Sequence, residues 1–234
     1  KKCGTINIML VIDADLPPGI LARALVTCTE AKTAALQELM APSRYSTGLA
    51  TGSGTDQTIV IANSESPLFF EGAGKHSKLG ELVGLAVMAA VKEALKKQSG
   101  LTPAQQHDLL RRLRRFGVTE EALWQRYKEE TDANALIKAQ FIAALEKMTA
   151  VPSLFPLGVL FIHLYDEHLW GLLEKEETWE AAEKLLKEMA AALRLKTQEG
   201  MLMQEDYMAS IARLLVRAVV ERAVRSVSEV KGCR

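Results

Sequence analysis

The hydrophobic periodicity of this chain changes once, near Gly100, and that change limits the fold more than any other feature. Before it, two short apolar runs have the length and the β-branched composition of strands: Thr5 to Asp13 (TINIMLVID) and Gln57 to Ala62 (QTIVIA). The first reads as a strand buried on both faces. Each run leads into a helical stripe. Leu16-Pro17-Pro18-Gly19 turns the chain and can launch a helix, because proline fits the first helical turn. Leu21, Leu25, Cys28, Ala35 and Leu39 then recur at helical spacing up to Pro42. After the second strand and a loop over 63–74, Leu79, Leu82, Val83, Ala86, Val87, Ala90, Val91, Ala94 and Leu95 trace one helix face, which ends at Ser99-Gly100. The order strand, helix, strand, helix predicts an α/β unit over residues 1–100. Because the chain enters its first strand almost at once and without a Met, this unit is expected to be incomplete at its N-terminus.

Past Gly100 no strand pattern of any length survives, and residues 101–234 are expected to form an all-α domain of roughly six helices with short loops. Thr102-Pro103 starts a helix that stops at Gly117, Thr119-Glu120-Glu121 opens a second, and Asp132 near Asn134 opens a third. A fourth follows Pro152 and Pro156 and runs through Leu173. A fifth begins at Thr178, with Trp179, Ala182, Leu185, Leu186, Met189 and Leu193 on one side, and is broken by Gly200. The last runs from about Gln204 to Val230.

The formal net charge is zero and neither half is lopsided, so no broad electrostatic footprint for nucleic acid or anionic lipid follows. Arg111, Arg112, Arg114 and Arg115 read as a solvated helix face. Cys3, Cys28 and Cys233 are odd in number and lack metal or redox spacing, which fits a reducing cytoplasm. No signal peptide is visible. The longest apolar stretch, Val151 to Tyr165, contains two prolines and His163 and is too short to span a bilayer, so no membrane partner is expected.

Three polar words in the α/β unit concentrate the residues that chemistry needs. In Thr-Glu-Ala-Lys-Thr (29–33), Lys32 falls on the apolar stripe between Cys28 and Ala35. A core-facing ammonium is costly unless paired, and is suited to holding a carboxylate or an oxyanion. The alternative is a lysine at the stripe's edge that carries its charge out to water. Glu30 is nearly opposite Lys32 on a regular helix, so the two should not pair; Thr29 and Thr33 share a face and can bond back to helix carbonyls. In Gly-Leu-Ala-Thr-Gly-Ser-Gly-Thr-Asp (48–56), Gly52 and Gly54 permit close backbone approach to a ligand or an anion-holding nest of amides, with Thr55 and Asp56 beside them. A tight connection alone also explains the glycines. The word is neither a Walker A loop nor a dinucleotide fingerprint.

In Gly-Lys-His-Ser-Lys-Leu-Gly-Glu (74–81), His76, Ser77, Lys78 and Glu81 crowd one helix start, where a capping serine and a surface ion pair are the plainer explanation. Gly80 and Gly84 bring that helix close to something, more often another helix than a ligand. His163, Asp166, Glu167 and His168 lack zincin order and read as satisfied polar groups rather than metal ligands.

These words, with Gly4-Thr5-Ile6-Asn7-Ile8 and Tyr45-Ser46-Thr47-Gly48, make residues 4–95 resemble the adenosylcobinamide amidohydrolase family of cobamide salvage. The resemblance implies hydrolysis of the amide that links the aminopropanol arm to the corrin ring, with the corrinoid as substrate and no further cofactor or metal. Under it, water is the expected nucleophile and Glu81 or His76 the general base. Lys32 and the amides around Gly52 and Gly54 stabilise the oxyanion, and Asp56 orients His76 or holds the amine. Ser77, activated by Lys78 or His76, is the second choice of nucleophile. Glu30, Thr33, Gly52, Gly54, Thr55 and Lys78 are the expected substrate-binding residues. A metal site of Asp56, His76 and Glu81 is conceivable but poor in histidine. Two non-enzymatic alternatives stay open, a corrinoid-binding or sensing protein and an assembly module carrying a degenerate enzyme. The helical domain has two candidate uses, a homo-oligomer contact or a roof over the pocket, and its sequence does not choose between them.

Overall fold

The computed structural model describes residues 4–130, 136–195 and 206–232, and its packing divides the chain into two units, 1–106 and 107–234. In the first, β1 (Asn7–Ile12) is followed by α1 (Pro18–Glu38), β2 (Gln57–Ala62), α2 (Lys78–Ser99) and the short α3 (Pro103–Gln106). The strands pair in parallel, from Asn7 opposite Gln57 to Ile12 opposite Ala62, with α1 as the crossover that parallel pairing requires.

The period-2 geometry of the strands sorts their side chains. Ile8, Leu10, Ile12, Val60 and Ala62 face a core completed by Ala24, Cys28, Ala31 and Ala35 of α1 and Val83, Val87 and Val91 of α2. The small residues of α1 let the two helices lie close on this one side. Pro18 occupies the first turn of α1, where its missing N–H costs nothing, and Gly100 closes α2 in the left-handed conformation at φ 71°.

The expectation that β1 is buried on both faces is not met. Met9 and Val11 of β1, opposite Ile59 and Ile61 of β2, are exposed, because both helices cover the same side of the sheet. Met9 is 71% and Val11 69% exposed.

The regular secondary structure among the described residues of the second unit is all helical: α4 (Leu109–Leu113), a 3-10 turn at Arg114–Phe116, α5 (Glu120–Glu130), α6 (Lys138–Thr149), α7 (Leu154–Leu169), α8 (Lys175–Ala192) and α9 (Tyr207–Gly232). Its core gathers Leu113, Phe141, Leu145, Met148, Phe161, Leu186, Met189 and Leu215, and the buried Tyr207 hydroxyl donates to Phe161 O at 2.9 Å. The helix start expected at Asp132 lies outside the described residues.

One reading of this region changes, and the polar cluster of His163, Asp166, Glu167 and His168 has the partners expected of satisfied groups. The arginine cluster is not simply a solvated face: Arg115 makes a bidentate ion pair with Asp166, and both side chains are buried. Asp166 is thereby committed. His163 Nε2 lies 3.4 Å from Glu167 Oε1 and His168 Nδ1 lies 3.2 Å from Leu173 O. Among the described residues no group of three His, Cys, Asp or Glu is placed to hold a metal ion, and no single helix is long and apolar enough to cross a membrane.

Candidate functional site

Parallel pairing brings the residues that precede the two strands together, and the second half of α1 passes beside them. Asp56, one residue before β2, therefore stands next to Ile6, one residue before β1. The Ile6 amide donates to Asp56 Oδ1 at 3.1 Å. Lys32 arrives from the core-facing stripe of α1 and is 7% exposed. Its Nζ donates to Asp56 Oδ2 at 2.5 Å, so the ammonium is paired inside rather than carried out to water. Ser53 completes the cage. Its amide donates to Oδ2 at 2.9 Å and its hydroxyl to Oδ1.

A carboxylate offers about four lone-pair sites, and this one receives four donors. Burial by itself would push the Asp56 carboxyl up, but the hydrogen bonds from Lys32, Ser53 and Ile6 outweigh it and hold the group below its ordinary value.

The same contact explains the first glycine of the second word. A Cβ on Gly52 would lie 2.5 Å from Asp56 Oδ2 and 2.9 Å from Lys32 Nζ, so any side chain there collides with the ion pair. Gly54 has open space instead. One turn of α1 fastens the rest of the loop, with the Thr33 hydroxyl donating to Thr51 O at 2.9 Å and Gln37 Nε2 to Ala50 O at 3.1 Å. The Thr5 and Thr55 hydroxyls meet at 2.6 Å. The loop between α1 and the glycines folds back as a hairpin, in which Ser43 N donates to Gly48 O at 2.9 Å and Ala50 N to Ala41 O at 2.8 Å.

Helix, glycine loop and hairpin form an open cavity of about 930 Å³, lined by Thr29, Lys32 and Thr33 from α1, Pro42, Ser43, Arg44, Tyr45 and Leu49 from the hairpin, and residues 50–56. Cys28, one turn before Lys32, is fully buried; burial pushes its thiol up against the opposing effects of Thr58 and Lys32, which leaves it a core residue rather than a nucleophile.

The third polar word is elsewhere. Ser77 caps α2, accepting from Gly80 N at 3.1 Å and donating to Gly74 O at 2.8 Å, while Lys78 pairs with Glu81 at 2.7 Å on the surface. This segment meets α1 through Thr27, whose hydroxyl donates to Ala73 O at 2.8 Å, and through Glu30, which pairs with Lys75 at 3.1 Å. Glu30 and Lys32 are separated by about 200° around the helix, so the Lys75 contact and the Asp56 contact leave α1 in nearly opposite directions. His76 is exposed.

Lys32, Thr33, Gly52, Gly54, Thr55 and Asp56 thus share one cavity wall, whereas Glu30, His76, Ser77, Lys78 and Glu81 do not line it. Asp56 has Lys32, not His76, as its partner. The residues that sequence reasoning passed over are Ser53, Gln37, Arg44 and Tyr45. Ser53 stood inside the glycine word three residues before Asp56, and Tyr45 inside a word already singled out.

Residues 1–103 match the adenosylcobinamide amidohydrolase family. The family segment includes the whole cavity and stops short of the helical unit. An uncharacterized protein of Methanocaldococcus jannaschii is 44% identical over 99 residues, which are 42% of this chain and 38% of that relative. The chain therefore spans about two fifths of the length of the curated relative it matches. No solved structure matches the chain.

The geometry also sets a pH dependence. A carboxyl held below its ordinary value of 3.8 in the fold contributes stability that is present above that value and lost as pH falls through the folded one. Asp56→Asn, which strands the buried Lys32 charge, is expected to cost about 3 kcal/mol near neutral pH. Urea unfolding followed by far-UV circular dichroism should show that deficit constant above about pH 5 and shrinking below about pH 4. A deficit that grows on acidification would contradict the cage.

Proposed function

We propose that the α/β unit hydrolyses the amide joining the aminopropanol arm of adenosylcobinamide to its corrin ring, releasing adenosylcobyric acid and aminopropanol. The family match supports the reaction class. The observation that carries the reading is a buried ammonium, Lys32, held by Asp56 on the wall of a cavity large enough for most of a bulky ligand.

In this reading the amide carbonyl oxygen sits against Lys32 Nζ and the backbone amides near Gly52 and Gly54. An ammonium has three donors, and Asp56 takes one. Water adds to the carbonyl carbon, and the negative charge that collects on oxygen is stabilised where little water competes. The C–N bond then breaks, both protons of the attacking water end on the nitrogen, which leaves as the ammonium form of aminopropanol, and the carboxylate remains. Asp56 already receives four donors, so its role is to hold Lys32 charged and aimed, rather than to orient a histidine or bind the amine.

His76 and Glu81 lie off the cavity wall. In the proposed site His76→Ala and Glu81→Gln therefore keep turnover within about threefold of wild type, as expected of surface groups. A hundredfold loss in either would place the general base at the start of α2 or in the loop just before it.

Among the described residues the wall carries no histidine and no carboxylate besides the fully hydrogen-bonded Asp56, which favours a second reading, corrinoid binding without turnover. One assay separates them. Purified protein is incubated with adenosylcobinamide and released aminopropanol is measured together with retained corrinoid. Release supports hydrolysis; retention without release supports binding alone.

A further inference from the structure

The cavity is lined by Thr29, Lys32 and Thr33 from α1 and by Pro42, Ser43, Arg44, Tyr45 and Leu49 from the hairpin. Among the described residues of that lining, Tyr45 is the one aromatic ring. The hairpin is held at its base by the paired backbone bonds of Ser43 with Gly48 and Ala50 with Ala41, and by the bridge of Pro42 to Leu49. Within it, Tyr45 N donates to Ser43 Oγ and Gly48 N to Ser46 Oγ, both at 3.3 Å, so the tip is shaped by its own hydroxyls. On this braced tip Tyr45 is 92% exposed, the most exposed of the large hydrophobic side chains in the described residues. A tyrosine ring left in water forgoes most of the stabilisation that covering it would bring. Tyr45 belongs to the lining of the cavity that also holds the Lys32–Asp56 ion pair.

We propose that Tyr45 is a substrate-positioning residue that lies against a flat conjugated surface of the corrinoid while the amide arm reaches Lys32. This rests on the corrinoid reading above and extends it to specificity. A ligand with a large flat conjugated body and polar arms matches a cavity that offers an exposed aromatic ring on the hairpin and a paired ammonium on α1. Two parts of adenosylcobinamide offer the required surface, the corrin ring and the adenine of its upper ligand. Stacking of either kind holds the body and leaves the chemical step to Lys32.

The test measures binding by equilibrium dialysis of the coloured corrinoid, and turnover by aminopropanol release, for wild type, Tyr45→Ala and Tyr45→Phe. Adenosylcobinamide and dicyanocobinamide are the two ligands. Tyr45→Ala is expected to weaken binding by about tenfold and to raise KM with little change in kcat, because ring stacking acts before and during the reaction alike. Tyr45→Phe retains wild-type affinity. A loss confined to adenosylcobinamide assigns the contact to adenine, and a loss with both ligands assigns it to the corrin ring.

Because the side chain is almost wholly exposed, the unfolding midpoint of Tyr45→Ala should match wild type, which removes misfolding as an explanation. Equal affinities of wild type and Tyr45→Ala for both ligands overturn the proposal while leaving the corrinoid reading intact. An equal loss in Tyr45→Phe and Tyr45→Ala overturns it too, since the hydroxyl and not the ring would then be responsible. If wild type binds neither corrinoid, the functional reading itself fails.

Discussion

Lys32→Met is expected to lower kcat/KM for adenosylcobinamide by at least about a hundredfold, the loss that follows removal of one well-placed oxyanion donor. Methionine keeps the unbranched stem that threads between Cys28 and Ala35, so packing on the α1 stripe is retained. It also leaves the Asp56 carboxylate with three donors, Ile6 N, Ser53 N and the Ser53 hydroxyl. The cage therefore survives removal of the ammonium better than removal of the carboxylate. Asp56→Asn keeps a buried positive charge and takes away its counter-ion, the costlier defect. The two variants should consequently separate chemistry from folding. Lys32→Met loses activity with a nearly native unfolding curve, and Asp56→Asn loses stability first. Aminopropanol release under saturating and limiting substrate, beside far-UV circular dichroism, checks both. A Lys32→Met enzyme with wild-type turnover would remove Lys32 from the reaction.

The parts of this site that were legible in the sequence are those fixed by local periodicity. Lys32 stands between two buried positions of a 3.6-residue stripe, which left a buried lysine with a counter-charge and an edge lysine reaching water both open; the structure has the first, with Asp56 as the partner. The near-opposite directions of Glu30 and Lys32 followed from the same helical arithmetic.

What periodicity does not contain is the path of the loops. Residues 63–77 carry the third polar word back to α1 at Thr27 and Glu30 rather than at Lys32, through contacts between residues more than 40 apart in sequence, and no local pattern encodes that choice. The bare face of the sheet escaped for a related reason. Met9 and Val11 have the composition of a strand covered on both sides, but coverage depends on which side each helix takes, and both took one. Ser53 was visible as a residue and invisible as a ligand of Asp56, because its role arises only when the glycine loop folds over the carboxylate.

Two glycines on one helix should respond to the same substitution with opposite signs. Gly80 and Gly84 both lie in α2 and share a face, a spacing that suggests one close packing contact. The structure divides them. A Cβ on Gly80 would stand 2.0 Å from Gly74 O and 2.9 Å from Ala73 O, so Gly80 faces the backbone of its own preceding loop rather than another helix; a Cβ on Gly84 meets nothing within 4 Å. Helix propensity alone makes Gly→Ala stabilising by about 0.5–1 kcal/mol at an interior position. That term is unopposed at Gly84.

At Gly80 it competes with an overlap against backbone, which no rotamer change relieves. The loop must move, and with it go the Ser77 cap and the Thr27–Ala73 hydrogen bond. Overpacking of this kind costs about 1–3 kcal/mol, and the loss of a cap adds about 1 kcal/mol. Gly80→Ala is therefore expected to destabilise the α/β unit by about 2–3 kcal/mol net, a large share of a domain's total. All three tryptophans, Trp124, Trp170 and Trp179, belong to the helical unit, so their fluorescence does not report this transition. Amide hydrogen exchange along β1 and α2 does. Faster exchange in Gly80→Ala with slower exchange in Gly84→Ala is the expected pair, and equal effects of the two would mean that α2 does not approach residues 73–74 as closely as described.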